Sequence, residues 1–279
     1  REMKSGTARL AILAAVALSL AACATMQSRN RTADQLAASG GLTRSTVGGG
    51  PFVLTVFSRM TDPAAPVVVY VEGDGLAWVS RDEVSLDPTP IHPLGLALAV
   101  ADRAANVIYL ARPCQYAERR SNPRCTPDIW TDRRFSEEVV ASLSAALDAL
   151  VGNRRPLHLV GYSGGGAIAV LLAARRPDVA SLRTVAGNLD HVALHRAHGV
   201  DQLKGSLNAA DYAAALAQLP QIHYVGERDK LITRAVTDSY VGRSGSDRCL
   251  RVVQIAGASH AEGWEAWSSL AGILPGCRS

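Results

Sequence analysis

The sequence predicts an α/β fold, a single domain whose mostly parallel sheet is covered by helices on both faces. Short apolar runs rich in β-branched residues alternate along the chain with longer segments of helical periodicity, the pattern of a sheet built with helical crossovers. The run LHLVGY at 157–162 carries almost no charge, as expected for a strand buried on both faces. A chain of 279 residues is long enough to bury one sizeable core.

Seven segments have the composition of strands, being short, apolar and bounded by turn-forming residues. Ligands of such sheets bind outside the carboxyl ends of the strands, so the residues that follow each segment are candidates for function. The predicted strands are 52–58, 67–73, 106–112, 157–162, 182–187, 221–226 and 250–257.

Four segments have the periodicity of helices, and they cover 91–103, 134–151, 165–175 and 261–274. The second is the most regular, because its apolar residues recur on one face. Ser136 can cap its N-terminus, and Glu137 and Glu138 are favourable in its first turn. The residues that share the apolar face are Val139, Val140, Leu143, Ala146, Leu147 and Leu150.

Residues 1–22 are typical of a secretory signal peptide, with a basic head, an apolar run at 10–20 and small residues at the exit. The apolar run is too short for a membrane span of about 20 residues. The stretch LAAC at 20–23 resembles the lipobox of bacterial lipoproteins, in which the cysteine, here Cys23, is lipidated and starts the mature chain. Ala24 rather than aspartate follows, which by resemblance indicates the periplasmic face of the outer membrane. Ordinary signal cleavage with an incidental cysteine is the alternative.

The predicted organisation therefore has a signal peptide at 1–22, a lipid-anchored tether at 23–43 and one domain at 44–279. The tether is polar with interspersed alanines and ends near two glycines. The formal net charge is +4, of which Arg1, Lys4 and Arg9 against Glu2 contribute +2 within the signal peptide. No basic run interleaves with aromatic residues, so neither charge nor pattern indicates a nucleic-acid partner.

The number of cysteines is consistent with a protein exported from the cytosol. If Cys23 takes a lipid, four cysteines remain, and an oxidising compartment favours their pairing. The sequence permits three connectivities. We favour Cys114–Cys125 within one loop and Cys249–Cys277 between the last strand and the C-terminus, with buried free thiols as the alternative.

Ser163 lies in the motif G-Y-S-G-G between the predicted strand 157–162 and the predicted helix 165–175. Gly161 and Gly165 leave room for a sharp turn that exposes the hydroxyl of a nucleophile. In a chain with 24 glycines the motif alone is weak, and its strand–turn–helix context strengthens it. An inert turn residue is the alternative.

The arrangement around Ser163 resembles the α/β-hydrolase fold superfamily, over a region from about residue 45 to the end of the chain. The resemblance implies an acid after a later strand and a histidine after the last one. Asp229 and His260 hold these places, in the chain order of the family. A serine hydroxyl needs an imidazole to take its proton, and the imidazole needs a carboxylate to orient it. Asp190, which follows the preceding strand, is the alternative acid.

The resemblance also implies an oxyanion hole. The backbone N–H of Gly164 is the first expected donor, and the N–H of Asp74, with Gly75 next, is the second. Family members often have His-Gly where this chain has the acidic loop EGDG, and a carboxylate beside an oxyanion would repel it. We therefore expect the Asp74 side chain to turn away, toward Arg112; a loop that only packs is the alternative. Residues 188–220 correspond to the cap of the family and allow only a short insertion.

Two other groups of residues bear on ligands. His191, His195 and His198 are spaced for one helical face, but no glutamate joins them, so we expect a solvated face and no metal site. The segment from Arg112 to Arg134 holds six arginines, which could favour an acidic substrate or form a solvated loop. The pattern EGDG, DPTP, ARPCQY also resembles exported bacterial lipoprotein hydrolases, a resemblance that adds no substrate.

These expectations combine into a serine hydrolase of the bacterial envelope that cleaves a small carboxylic ester through an acyl-enzyme on Ser163 and needs no cofactor. A peptidase or amidase with the same triad is the alternative enzyme. A catalytically silent lipoprotein that binds a partner is the alternative from another class. The natural substrate, its acyl length and the oligomeric state do not follow from the sequence.

Overall fold

The computed structural model describes residues 26–152 and 155–278. These residues form one sheet of eight strands in the order β1-β2-β4-β3-β5-β6-β7-β8. The first two strands are antiparallel to their neighbours, and the other six run parallel, which confirms the predicted α/β architecture. The strands are β1 (Thr43–Gly49), β2 (Phe52–Met60), β3 (Val67–Val71), β4 (Asn106–Leu110), β5 (Leu157–Tyr162), β6 (Val179–Val185), β7 (Gln221–Gly226) and β8 (Leu250–Ile255).

Strand β1 was not among the predicted strands, because its sequence TRSTVGG is polar and lacks an apolar run. It forms an antiparallel hairpin with β2, in which Thr43 pairs with Ser58 and Gly49 with Phe52. Gly50 makes the connecting turn at a φ of +56°, a conformation that glycine adopts without a steric penalty. Most of β1 is exposed at the edge of the sheet, so burial leaves no period-two signal in its sequence.

The helices cover both faces of the sheet. The prediction for 134–151 is the most accurate, since the helix begins after Ser136, whose hydroxyl accepts a hydrogen bond from the N–H of Val139. The predicted helix 261–274 is reduced to one turn, because Gly263 at a φ of +84° interrupts it. The helices are α1 (26–39), α2 (Leu94–Ala101), α3 (Pro127–Trp130), α4 (Glu137–Val151), α5 (Gly164–Ala173), α6 (His191–His198), α7 (Arg234–Arg243) and α8 (Trp267–Leu270).

Alternate residues of the central strands enter two separate cores. In β3, Val67, Val69 and Val71 pack with α4 and α5, whereas Val68 and Tyr70 pack with α2 and α8. All five are buried, as the uncharged sequence of the strand indicates. The two cores hold the sheet rigid, and its carboxyl edge can therefore position side chains.

The described part of the predicted tether is a packed helix, which corrects that interpretation. Ala33 and Ala37 are buried one turn apart on α1, and their small side chains let the helix lie close to the domain. At its start, the Arg29 guanidinium donates to the carbonyl of Thr89 at 3.1 Å and pairs with Asp87 at 3.3 Å. The predicted signal peptide and Cys23 lie outside the described residues.

Both favoured disulfides are formed. Cys114–Cys125 joins residues 11 positions apart in the sequence, and Cys249–Cys277 ties the C-terminal segment to the start of β8. Two disulfides are typical of a protein that matures outside the reducing cytosol. Within the described ranges, no helix combines the length and the hydropathy that a membrane span requires.

The predicted cap, 188–220, holds α6 and two short 3₁₀ turns at Ala209–Tyr212 and Ala214–Leu216. Its first residues follow β6 directly, and its last residue precedes β7. Because β6 and β7 run parallel, the segment crosses from the carboxyl end of β6 to the amino end of β7, where the carbonyl of Pro220 accepts the N–H of Leu182 at 3.0 Å, and it adds no strand to the sheet.

Candidate active site

Ser163 lies on the turn between β5 and α5, with a φ of +51°. Few residues other than glycine adopt this conformation, and its strain is retained where the surroundings force it. A Cβ on Gly161 would lie 2.3 Å from the carbonyl oxygen of Gly165, and one on Gly165 would lie 2.2 Å from that of Val71. Both glycines of the motif are therefore required by contacts with backbone, as the sequence predicts.

Three predicted residues from separate loops meet at this turn. The Oγ of Ser163 lies 3.0 Å from Nε2 of His260, and Nδ1 of His260 lies 2.9 Å from Oδ2 of Asp229. An ionised carboxylate only accepts hydrogen bonds, so Nδ1 carries the proton and Nε2 is free to accept the serine hydroxyl. This arrangement makes the imidazole a base directed at the serine.

The acid and the base are held by their own loops. The carboxylate of Asp229 is fully buried, and its Oδ1 accepts the N–H groups of Leu231 and Ile232 at 2.9 and 2.8 Å. These bonds leave Oδ2 for His260. The Tyr162 hydroxyl donates to the carbonyl of His260 at 3.2 Å, and the two rings are 5.5 Å apart. The loop after β8 is thus fastened to the residue that precedes the serine.

Asp190, the alternative acid, has other partners. It caps α6 by accepting the N–H of Ala193, and it also accepts from the side chains of Asn208 and Ser239. Arg243 pairs with it at 3.3 Å. The hydrogen bonds and the nearby guanidinium hold the pKa of Asp190 low although burial opposes them. Its contacts assign it a structural role, away from His260.

The predicted oxyanion donors lie against the serine turn. Gly164 is the first residue of α5, where a helix N–H has no partner inside the helix. Among the described residues, neither this N–H nor that of Asp74 donates a hydrogen bond. A Cβ on Gly164 would lie 2.0 Å from Oδ1 of Asp74, so the acidic loop touches the turn. Gly75 has a φ of +64° and lies where a Cβ would meet the carbonyl of Pro88 at 2.0 Å.

The Asp74 carboxylate turns toward arginines, as expected. Arg112 pairs with it at 3.2 Å and Arg134 at 3.5 Å. Arg112 is almost wholly buried, and burial lowers its pKa although Asp74 opposes the shift. Both guanidinium groups offset the negative charge that would otherwise face a developing oxyanion. These two arginines therefore have a partner within this chain.

Other arginines of that segment are also compensated. Arg124 and Arg133 both pair with Glu138, and Arg133 also pairs with Asp128. Four of the six arginines of this segment, which also holds the Cys114–Cys125 disulfide, are therefore engaged in ion pairs with carboxylates of the chain.

Sequence reasoning missed Glu72, the residue that shapes the acidic loop. Its buried carboxylate accepts the N–H of Gly73 at 2.9 Å, those of Gly95 and Leu96 at 3.2 and 3.3 Å, and the Tyr109 hydroxyl at 2.9 Å. Burial raises its pKa. A charged residue directly after five buried strand residues is the signal that could have identified it, because such a group requires several partners. Glu72 ties the loop to the start of α2.

The predicted solvated face of histidines on α6 is wrong, because His191 and His195 are buried and only His198 is exposed. His191 is buried against Phe135, with ring centres 5.9 Å apart, and burial lowers its pKa to about 4. His195 contacts Arg134 at 3.3 Å, and His198 contacts the carbonyl of Leu231 at 2.9 Å. No cluster of three or more metal-ligating side chains occurs in the part of the chain that the structure describes.

A cleft of about 320 Å³ opens beside the serine. Its walls combine Ser163 and His260 with apolar side chains, which suits a substrate with an apolar part and a reactive carbonyl. The lining residues are Glu72, Asp74, Gly75, Leu76, Pro90, Ile91, His92, Tyr162, Ser163, Leu231 and His260.

No protein-family model matches the chain, and no curated protein sequence matches it either. Several solved structures are similar to the structure of this chain. The esterase domain of a Rhodothermus marinus protein is 13% identical, covers 82% of this chain and 94% of its own, and has a TM-score of 0.55. A bacterial membrane phospholipase A is 17% identical, with 96% of both chains covered and a TM-score of 0.54. A serine hydrolase without lid from Xanthomonas campestris is 14% identical, with 83% and 90% covered and a TM-score of 0.50. At these identities the likeness establishes the fold, and this chain has the fold of the α/β-hydrolase superfamily.

Proposed function

We propose that this protein is a serine hydrolase that cleaves carboxylic esters through an acyl-enzyme on Ser163. The observation that carries the proposal is the continuous hydrogen-bonded series from Ser163 through His260 to Asp229, at the wall of an open cleft. The likeness to an esterase domain and to a serine hydrolase supports the reaction class.

In the acylation step, Oγ of Ser163 attacks the ester carbonyl carbon while Nε2 of His260 takes the hydroxyl proton. Asp229 stabilises the imidazolium that forms. The N–H groups of Gly164 and Asp74 donate to the oxyanion of the tetrahedral intermediate. When the intermediate collapses, the bond to the alcohol breaks, and His260 returns its proton to the leaving oxygen. The acyl group remains on Ser163.

In the deacylation step, His260 takes a proton from a water molecule, whose oxygen attacks the acyl carbon. The second tetrahedral intermediate breaks at the serine oxygen, which recovers the proton from His260. The products are a carboxylic acid and an alcohol, and the enzyme returns to its initial state. Every proton in this cycle moves through one imidazole, so the 3.0 Å contact between serine and histidine is essential to it.

A serine-directed fluorophosphonate tests the proposal, followed by a panel of ester and amide substrates. We expect the native chain to be labelled and to hydrolyse short acyl esters, and Ser163→Ala to lose both properties with an unchanged circular dichroism spectrum. Preferential hydrolysis of amides would indicate a peptidase or amidase with the same triad. A folded native chain that neither labels nor turns over any substrate would instead indicate a silent binding protein.

We also propose that the enzyme is anchored in the bacterial envelope by a lipid on Cys23, at the periplasmic face of the outer membrane. The LAAC stretch at 20–23 and the two disulfides support this location. Cys23→Ser should release the protein from the membrane fraction. Mass spectrometry of the native protein should find a diacylated cysteine at the N-terminus, and an unmodified Cys23 there would contradict the anchor.

A further inference from the structure

Exposed apolar side chains are concentrated in the loop 76–92, whose two ends line the cleft. Among the described residues nine large apolar side chains are well exposed; four of them lie in this loop, and a fifth, Leu231, lines the cleft. Soluble proteins expose single apolar residues widely, but a concentration at one site marks a surface that meets an apolar partner. We name this set the apolar rim: Trp78 (43% exposed), Val79 (58%), Leu86 (75%), Ile91 (48%) and Leu231 (50%).

The loop that carries most of the apolar rim is held in place by hydrogen bonds. The N–H of Leu76 donates to the carbonyl of Pro88 at 3.1 Å, and that of Ser85 donates to Ala77 at 3.0 Å. From outside the loop, the indole of Trp130 donates to the carbonyl of Ser85 at 3.1 Å. Trp78 and Val79 are therefore exposed on a loop that hydrogen bonds hold in a defined conformation.

The N-terminal helix begins on the same loop. Arg29, in the first turn of α1, donates to the carbonyls of Asp87 and Thr89, and Pro90 and Ile91, which follow them, line the cleft. Cys23 precedes the first described residue, Met26, by three positions. A chain extends by about 3.5 Å per residue, so Cys23 is within about 11 Å of the start of α1. A lipid on Cys23 would bring a bilayer next to the apolar rim.

We propose that the apolar rim rests on the surface of a lipid bilayer and that the cleft takes its substrates from it, as esters of lipids. The inference rests on the proposed ester hydrolysis and names its substrate class. Tryptophan is favoured at membrane interfaces, where its ring meets the apolar region and its N–H meets water. The ester bond of a lipid lies at that same depth, beside the reactive serine.

The contact is apolar rather than electrostatic in character. The exposed tip between Val79 and the second half of the loop holds Arg81, Asp82 and Glu83, which together give no cationic surface. We therefore expect binding that persists at high salt, unlike the attraction of a basic patch to anionic lipids.

The test measures two rates for the same protein. The mature protein, with its signal peptide removed, is mixed with vesicles of phosphatidylethanolamine and phosphatidylglycerol, and the rate of fatty acid release is measured. This rate is compared with the rate at which the same protein hydrolyses the water-soluble ester p-nitrophenyl butyrate. The rim variant combines Trp78→Gln with Val79→Gln, two residues that do not line the cleft. Its matched control combines Ile273→Gln with Leu274→Gln, which are similarly exposed and lie three to four residues before Cys277, whose disulfide is at the amino end of β8.

We expect the rim variant to release fatty acid about tenfold more slowly than the native protein, since removal of this apolar contact weakens docking by that order. Its rate on the soluble ester should be unchanged, and the control variant should match the native protein in both assays. The fluorescence of Trp78 is obtained as the difference between the native protein and Trp78→Phe. Vesicles of brominated lipid should quench this fluorescence.

Other outcomes would overturn the inference. Native protein that hydrolyses the soluble ester but releases no fatty acid excludes lipid esters while the proposed function stands, whereas failure on both contradicts the proposed function. Equal loss in the rim and control variants, or none in either, excludes docking through the rim. A native dimer that only the rim variant dissociates would assign the rim to a second copy of the chain.

Discussion

At the scale of single residues, the two aspartates that follow β6 and β7 differ in what their carboxylates contact. Oδ2 of Asp229 faces His260, whereas both oxygens of Asp190 are engaged by the cap of α6, by Asn208 and by Ser239. The same residue type therefore contacts His260 at one position and supports the packing of the cap at the other.

Asp229→Asn should lower kcat on the order of 10⁴-fold, because an amide favours the wrong imidazole tautomer. Asp190→Asn should leave kcat close to native and lower the free energy of unfolding by about 1–3 kcal/mol, since buried donors lose a charged acceptor. Steady-state kinetics and urea denaturation of both variants separate the two roles. If Asp190→Asn is the one that abolishes turnover, the assignment of the acid is wrong.

Asp74 and Arg112 form a second pair with a testable role. Arg112→Gln should leave the Asp74 carboxylate incompletely neutralised beside the oxyanion donors and lower kcat by about 10–100-fold. Adding Asp74→Asn, which removes the charge and keeps the backbone N–H, should restore much of the rate. Asp74→Asn alone is the control. No recovery in the double variant would show that Arg112 acts through packing rather than through charge.

At the scale of elements, the approach of α5 to the sheet depends on residues without side chains. Gly165 lies where a Cβ would come within 2.2 Å of Val71 backbone, so even a methyl group would push α5 away from β3. Gly242, in α7, has nothing within 4 Å of its hypothetical Cβ. The two glycines make a matched pair for testing close approach.

Gly165→Ala should lower the free energy of unfolding by about 3 kcal/mol or more, because backbone atoms cannot relax as flexible side chains do. Gly242→Ala should raise it by about 0.5–1 kcal/mol, since alanine favours a helix over glycine. Thermal or urea unfolding measures both changes. Equal stability of the two variants would contradict the close packing of α5 on the strand.

At the scale of the whole molecule, buried histidines make stability depend on pH. Burial lowers the pKa of His223 to about 3, whereas an unfolded chain has a histidine pKa of about 6.5. The folded state binds this proton more weakly, so the contribution is complete above about pH 6.5 and is lost as pH falls toward the folded pKa. His191, with a pKa of about 4, acts in the same direction.

His223→Asn should therefore remove about 2 kcal/mol of the difference in unfolding free energy between pH 7 and pH 5. Asparagine does not titrate, and its amide can replace the ring nitrogen that lies 2.8 Å from Thr184. The exposed His92, changed to asparagine, is the control for the loss of one histidine from the chain. Urea titrations at both pH values measure the effect, and an unchanged slope in His223→Asn would refute it.

The sequence by itself determined the architecture and two of the three residues that meet at the turn, Ser163 and His260. Apolar runs predict strands because each central strand is buried on both faces, and the glycines around Ser163 predict the turn because any side chain would meet backbone there. Chain order then gives the histidine, since only His260 follows the last strand. All of these signals are local, which is why a sequence can carry them.

Only the tertiary structure decided which aspartate contacts His260, because Asp190 and Asp229 each follow a strand and look alike locally. It also decided that 26–39 packs as a helix, that Glu72 holds the acidic loop, and that Asp74 turns to arginines 38 or more positions away. The apolar rim likewise depends on the tertiary structure, because it includes residues of the loop 76–92 and Leu231, which are far apart in the chain. Each of these contacts links residues that are distant in the chain. It can therefore stabilise the protein only after the sheet has formed and brought those residues together.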